Sequence, residues 1–168
     1  MSMCEPLAAE LRQEAATTRR LLERVPEDKF GWKPHEKSMA LGRLAGHIAE
    51  LPSIVAPALT QDELDFATGN YQPFIPSSVA ELLEKFDSNV AAAVELLQNQ
   101  PDERMNEKWR LRSGDTIIFD SPHAGVVRTK ALNHVVHHRG QLSVYLRLLD
   151  VPLPSIYGPS ADEGPRSS

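Results

Sequence analysis

A single cysteine, Cys4, stands in 168 residues. An intrachain disulfide framework is therefore impossible, and so is a zinc site built on cysteines. Cys4 itself reads as a free surface thiol in the N-terminal segment, with no catalytic role. Positive charge is also scarce: Lys and Arg total 18 against 23 Asp and Glu, a formal net charge of −5. Arg19, Arg20, Arg110 and Arg112 lie scattered among acids, which reads as a solvated surface. Without a basic patch to attract a phosphate backbone, a general nucleic-acid binder is excluded. No apolar run is long enough to span a bilayer. No basic segment followed by an apolar one opens the sequence, so no signal peptide is expected, and the expected location is cytoplasmic.

What is present suits a soluble globular domain, with 41% hydrophobic and 24% charged residues. The length fits one domain able to bury a core without disulfides. That domain is expected to span 1–163, with a polar, disordered tail at 164–168.

Helical periodicity dominates. Leu7, Leu11, Ala15, Thr18, Leu22 and Val25 recur every three or four residues and predict a helix from about Pro6 to Val25. Pro26 to Lys37 is rich in helix breakers and reads as a packed loop. Ser38 is the expected N-cap of a second helix. Its buried stripe is Leu41, Leu44, Ile48, Leu51 and Val55, and Pro52 should kink or end it. Thr60 to Pro76 reads as loop. Ser78 and Glu81 have capping-box spacing and open a third helix, whose face runs from Val79 to Leu97. Trp109, Leu111, Ile117 and Phe119 flank Ser113-Gly114-Asp115, which suggests a short β-hairpin or an irregular extended arm. Ser121-Pro122 reads as an N-cap followed by proline at the first helical position. A long fourth helix then runs to about Leu149. The pattern as a whole is an all-α four-helix bundle.

Three histidines on apolar stripes carry the chemistry. His134 and His138 are four residues apart on the fourth helix, so both imidazoles can face one point. His47 lies on the second helix. Buried imidazoles need partners, and a divalent metal satisfies all three. The competing reading for any one of them is a core histidine bonded to a backbone carbonyl. His137 also shares a face at three-residue spacing, but His138 lies on the richer apolar stripe. His137 is expected at the edge of the site, at a dimer surface, or exposed. His35 and His123 are expected at the surface. Glu50, one turn after His47, could orient a ligand or act as a general base, or simply be a solvated carboxylate. Gln141 could hydrogen-bond a ligand or a water. Arg139 is expected to form an ion pair bracing the helices rather than to receive an anionic substrate. Tyr145 and Tyr157 could donate to a bound oxygen or pack in the core. Trp32 and Trp109 read as core or pocket wall.

His47 together with the run His134-Val135-Val136-His137-His138-Arg139-Gly140-Gln141 and the Tyr157-Gly158-Pro159 ending resembles the DinB-like (DinB/YfiT-like) family of metal-binding four-helix bundles. The resemblance covers nearly the whole chain. It implies a bundle with an unusual connection order, a homodimer, and a divalent metal (zinc, nickel or iron) held by His47, His134 and His138. Characterised relatives include enzymes that transfer low-molecular-weight thiols such as bacillithiol, and mycothiol-dependent isomerases. Three protein ligands leave a coordination position open, as in catalytic sites. The first expectation is therefore transfer of a low-molecular-weight thiol cosubstrate to a small-molecule electrophile. The alternatives are a metal-dependent hydrolase using a base such as Glu50, a non-catalytic metal-binding stress-response module, and an apo structural bundle.

Overall fold

The structure, a computed structural model, describes residues 3–69 and 71–164. Helix α1 runs over Cys4–Leu22 and α2 over Leu41–Glu50. A 3₁₀ turn, Leu51–Ile54, continues α2 into α3, Val55–Thr60. Strand β1 is Glu63–Asp65, α4 is Val79–Gln98 and α5 is Asp102–Asn106. Strands β2 (Lys108–Ser113) and β3 (Thr116–Pro122) lead into α6, His123–Val126. A π-helical stretch, Val127–Leu132, joins α6 to α7, Asn133–Leu148. The long helices form a ring in which α1 and α2 each pack against both α4 and α7. Consecutive helices α1 and α2 therefore sit across the bundle from one another. None of the helices among the described residues is long and apolar enough to cross a membrane.

The helix starts show how tertiary contacts replace local caps. Helix α1 begins two residues before the expected proline, because the Asp102 carboxylate accepts from the backbone N–H of Met3 (2.9 Å) and Cys4 (3.4 Å). Ser38 is not the N-cap of α2. The cap position is Ala40, and the loop carbonyls of Trp32 and Phe30 accept from Leu41 N (2.7 Å) and Gly42 N (2.9 Å). The Phe30 side chain lies so close to Gly42 that a Cβ there would meet it at 3.0 Å. Ser78 does cap α4, accepting from Glu81 N at 3.1 Å. The Glu81 carboxylate reaches Ser77 rather than Ser78, accepting from its N–H and its hydroxyl. Pro52 breaks the α-helical pattern as expected, producing the 3₁₀ turn.

The expected hairpin is present. β2 and β3 pair antiparallel, turning at Gly114 with φ +56. Two features of the region differ from expectation. The connection after Thr60 contains β1, which pairs parallel with β2 and makes a three-stranded sheet. Ser121 and Pro122 belong to β3, so the helix starts one residue later, and its first N–H, of His123, donates to Glu107 O at 3.0 Å.

Several side chains settle where their chemistry dictates. Cys4 is buried, not at the surface, among Leu7, Ala8 and Trp109. Burial and the neighbouring Asp102 push its thiol up to about 11. His123 is fully buried rather than exposed, with Nδ1 against the Ala58 carbonyl. Trp109 is a core residue whose Nε1–H donates to Pro57 O at 3.1 Å. Trp32 meets Tyr145 edge-on, with ring centroids 5.7 Å apart. Arg139 is 1% exposed and pairs with Glu14 at 2.7 Å, as expected of a bracing ion pair. It also donates to the Thr18 hydroxyl and to Tyr157 OH, tying the C-terminal segment to α1 and α7. Of the expected tail, residues 165–168 lie outside the described residues.

Candidate metal centre

Helix α2 presents His47 and α7 presents His134 and His138 to the same point. One ring nitrogen from each lies within 4.8 Å of the other two. His134 Nε2 and His138 Nε2 are 3.0 Å apart. The His47 ring centroid is 5.2 Å from that of His134 and 4.7 Å from that of His138. The four-residue spacing stacks the two α7 imidazoles on one face, and the direct packing of α2 on α7 supplies the third.

The outer edges of these rings have partners. His138 Nδ1–H donates to Gln141 Oε1 at 2.6 Å. The Lys130 backbone, in the π-helical stretch, is the hydrogen-bond partner of the His134 ring. Outer partners of this kind set the tautomer and leave the inner nitrogens as lone pairs. Two lone pairs facing each other across 3.0 Å repel unless a cation lies between them. His47 Nδ1 is buried and has no hydrogen-bond partner, with Glu50 Oε2 still 3.8 Å away.

Electrostatics favour the neutral, metal-ligating form of all three. Burial lowers the pKa of His47 to about 4, with help from His138, Arg43 and His134. Burial likewise lowers those of His134 and His138. Neutral imidazoles within reach of one another suit a borderline divalent ion, so the donor set fits the metal that the sequence suggests.

The surrounding residues sort clearly. Glu50 is not a solvated carboxylate. Its Oε2 accepts from Arg43 Nη1 (2.9 Å) and Tyr71 OH (3.0 Å), and its Oε1 accepts from Phe74 N (2.7 Å). Arg43 was not singled out by sequence reasoning, although it lies one turn before His47 and shares its face. His137 is exposed at the edge of the cluster, accepting from Gln141 Nε2 at 3.2 Å. His35 is exposed, as expected. Gly46 explains how the loop carrying Tyr71 seats on α2: a Cβ there would meet Phe74 O at 2.4 Å. A separate cavity of about 310 Å³ opens between α1 and α4, lined by Arg12, Ala16, Phe86 and Val90 among others, and includes none of the three histidines.

The molecule is thus a helical bundle in which three imidazoles, His138 buried and His47 and His134 partly so, cluster between two helices. The model of the DinB family matches residues 1–166, and the chain belongs to that family. It is 24% identical over 156 residues to the uncharacterised protein YrdA of Bacillus subtilis, covering 89% of this chain and 85% of that one. It is 28% identical over 137 residues to YjoA of the same organism, covering 77% and 80%. The solved structure of YjoA, a DinB-like protein, superposes with a TM-score of 0.70 at 19% identity, covering 90% of this chain and 97% of that one. A DinB-like protein from Bacillus cereus superposes with a TM-score of 0.69 at 23% identity, covering 90% and 95%. These likenesses establish the fold.

Proposed function

We propose that His47, His134 and His138 together hold one divalent metal ion, and that the protein is a metal-dependent enzyme transferring a low-molecular-weight thiol to an electrophilic small molecule. The observation that carries this reading is the convergence of three neutral imidazoles with no fourth side-chain ligand grouped with them among the described residues. Three protein donors and an open position are the pattern of a catalytic site. When bound, the metal supplies Lewis acidity that holds an incoming thiol as its thiolate.

The chain's own groups have supporting roles. Gln141 fixes the tautomer and aim of His138. Glu50 holds Arg43, Tyr71 and the backbone of Phe74, which makes it a positioning residue. With both carboxylate oxygens so engaged, Glu50 is poorly placed to deprotonate a water, and this weighs against hydrolysis. Cys4 is buried with a raised pKa, so the reacting thiol has to come from outside the chain. The same reading includes the cytoplasmic location expected from the sequence and the homodimer that the resemblance implies.

The test is a screen. Protein loaded with zinc or nickel is incubated with bacillithiol, mycothiol or glutathione and a model electrophile such as chlorodinitrobenzene. The reading expects conjugate formation that a chelator abolishes and His138→Ala lacks. Loaded protein that consumes no electrophile with any thiol would leave a non-catalytic metal-binding module.

A further inference from the structure

Helix α2 presents three polar side chains on one face: Arg43, His47 and Glu50, spaced by one turn each. Two contacts link the histidine cluster to the guanidinium. Glu50 Oε2 lies 3.8 Å from His47 Nδ1 and 2.9 Å from Arg43 Nη1. Arg43 also donates to Tyr71 OH at 2.9 Å and reaches Phe74 O at 3.5 Å. A guanidinium has five donor hydrogens. Nε and the second Nη2 hydrogen find no acceptor among the described residues, and the Arg43 side chain is 20% exposed. Tyr71 is itself 60% exposed.

Charge balance decides what that group is. Three neutral imidazoles leave the two positive charges of a divalent ion uncompensated. Arg43 adds a third, and Glu50 offsets only one. The site as a whole is short of negative charge on the side where Arg43 meets solvent. We propose that Arg43 is a substrate-binding residue that receives a carboxylate, so that the thiol or its acceptor is an anionic, carboxylate-bearing small molecule. This deepens the metal reading of the same site and rests on it. The planar fork of arginine matches a carboxylate in two parallel hydrogen bonds. The free Nε–H and second Nη2–H would make that pair, while Tyr71 keeps its bonds to Arg43 and Glu50.

The experiment uses cobalt(II)-loaded protein, whose visible absorption first reports whether the metal is bound. Two probes are titrated: 3-mercaptopropionate and its neutral amide, 3-mercaptopropionamide. Wild type should bind the acid more tightly than the amide by on the order of tenfold to a hundredfold, the usual range for a hydrogen-bonded ion pair. Arg43→Gln should load cobalt and lose that preference. Because Arg43→Gln leaves Glu50 without its cation, the double variant Arg43→Gln/Glu50→Gln removes both charges and should behave the same way. A wild type that loads cobalt but binds acid and amide alike overturns the role of Arg43, as does a preference that survives in either variant. A wild type that takes up no cobalt contradicts instead the metal reading beneath it.

Discussion

Replacing Gln141 with methionine removes the acceptor that fixes His138 while keeping a similar volume. In the present structure His138 Nδ1–H donates to Gln141 Oε1 at 2.6 Å, a short bond for a neutral pair. Without it, His138 can place its proton on either nitrogen, and one of the two tautomers turns an N–H toward the cluster. The lost hydrogen bond alone is worth about 0.5–1.5 kcal/mol. Loss of an outer partner of a ligating histidine typically lowers metal affinity by about 10–100-fold. Gln141 is exposed, so the same change should cost the metal-free fold less than about 1 kcal/mol. The two readouts separate the roles. Competition of the apo protein with a chromophoric chelator at pH 7.5 gives the zinc affinity, and urea unfolding of the apo protein gives the stability. A variant within twofold of wild type in zinc affinity would refute the argument, because His138 would then need no outer partner. Gln141→Glu, which keeps an acceptor, should retain affinity.

Three further predictions follow from particular contacts. Metal-free protein should lose stability on acidification: His47 is held neutral in the fold, with a pKa of about 4, against about 6.5 unfolded. The unfolded state therefore binds the extra proton, and the loss begins as pH falls through about 6.5, reaches about 2 kcal/mol near pH 5 and levels off below pH 4. An unchanged urea midpoint between pH 7.5 and pH 5 would contradict it. Gly46→Ala should lower stability by about 1–3 kcal/mol, despite the better helix propensity of alanine, because its Cβ would meet Phe74 O at 2.4 Å; a rise in melting temperature would show that the loop is not seated there. Arg139→Met should cost about 3–5 kcal/mol by leaving the Glu14 carboxylate without its cation, held only by the Tyr157 hydroxyl. Arg139→Met/Glu14→Gln should recover much of that loss in the same melts, and a double variant as unstable as the single one would mean that packing, not charge, dominates.

The parts of the molecule that were legible in the sequence are those governed by local periodicity. The stripes of α1, α2 and α4 follow three- and four-residue spacing, and His134 and His138 share a face for the same reason. Long-range contacts were not legible. β1 is three residues, Glu63–Asp65, with no alternation to announce it, and it exists because β2, far along the chain, pairs with it. The start of α2 is set by the carbonyls of Phe30 and Trp32, which a search for a capping side chain passes over in favour of Ser38. The π-helical stretch before His134 interrupts a run that reads as one α-helix from proline to Leu149. It shifts the register of α6 against α7. His123 lies beside Val126 and Val127, both fully buried, yet its position at the helix start suggested a surface residue. Arg43 was within reach of sequence reasoning, since it precedes His47 by one turn. Its significance came from Glu50, which it shares with Tyr71 and the Phe74 backbone, both brought by a loop that the sequence marks only as irregular.

Elemental analysis of protein purified without a nickel column, comparing wild type with His138→Ala, reads directly whether the three histidines hold a metal. Near-stoichiometric divalent metal is expected in wild type, and its loss in the variant. Wild type that carries no metal, and takes none up on titration with zinc, nickel or iron, would contradict it.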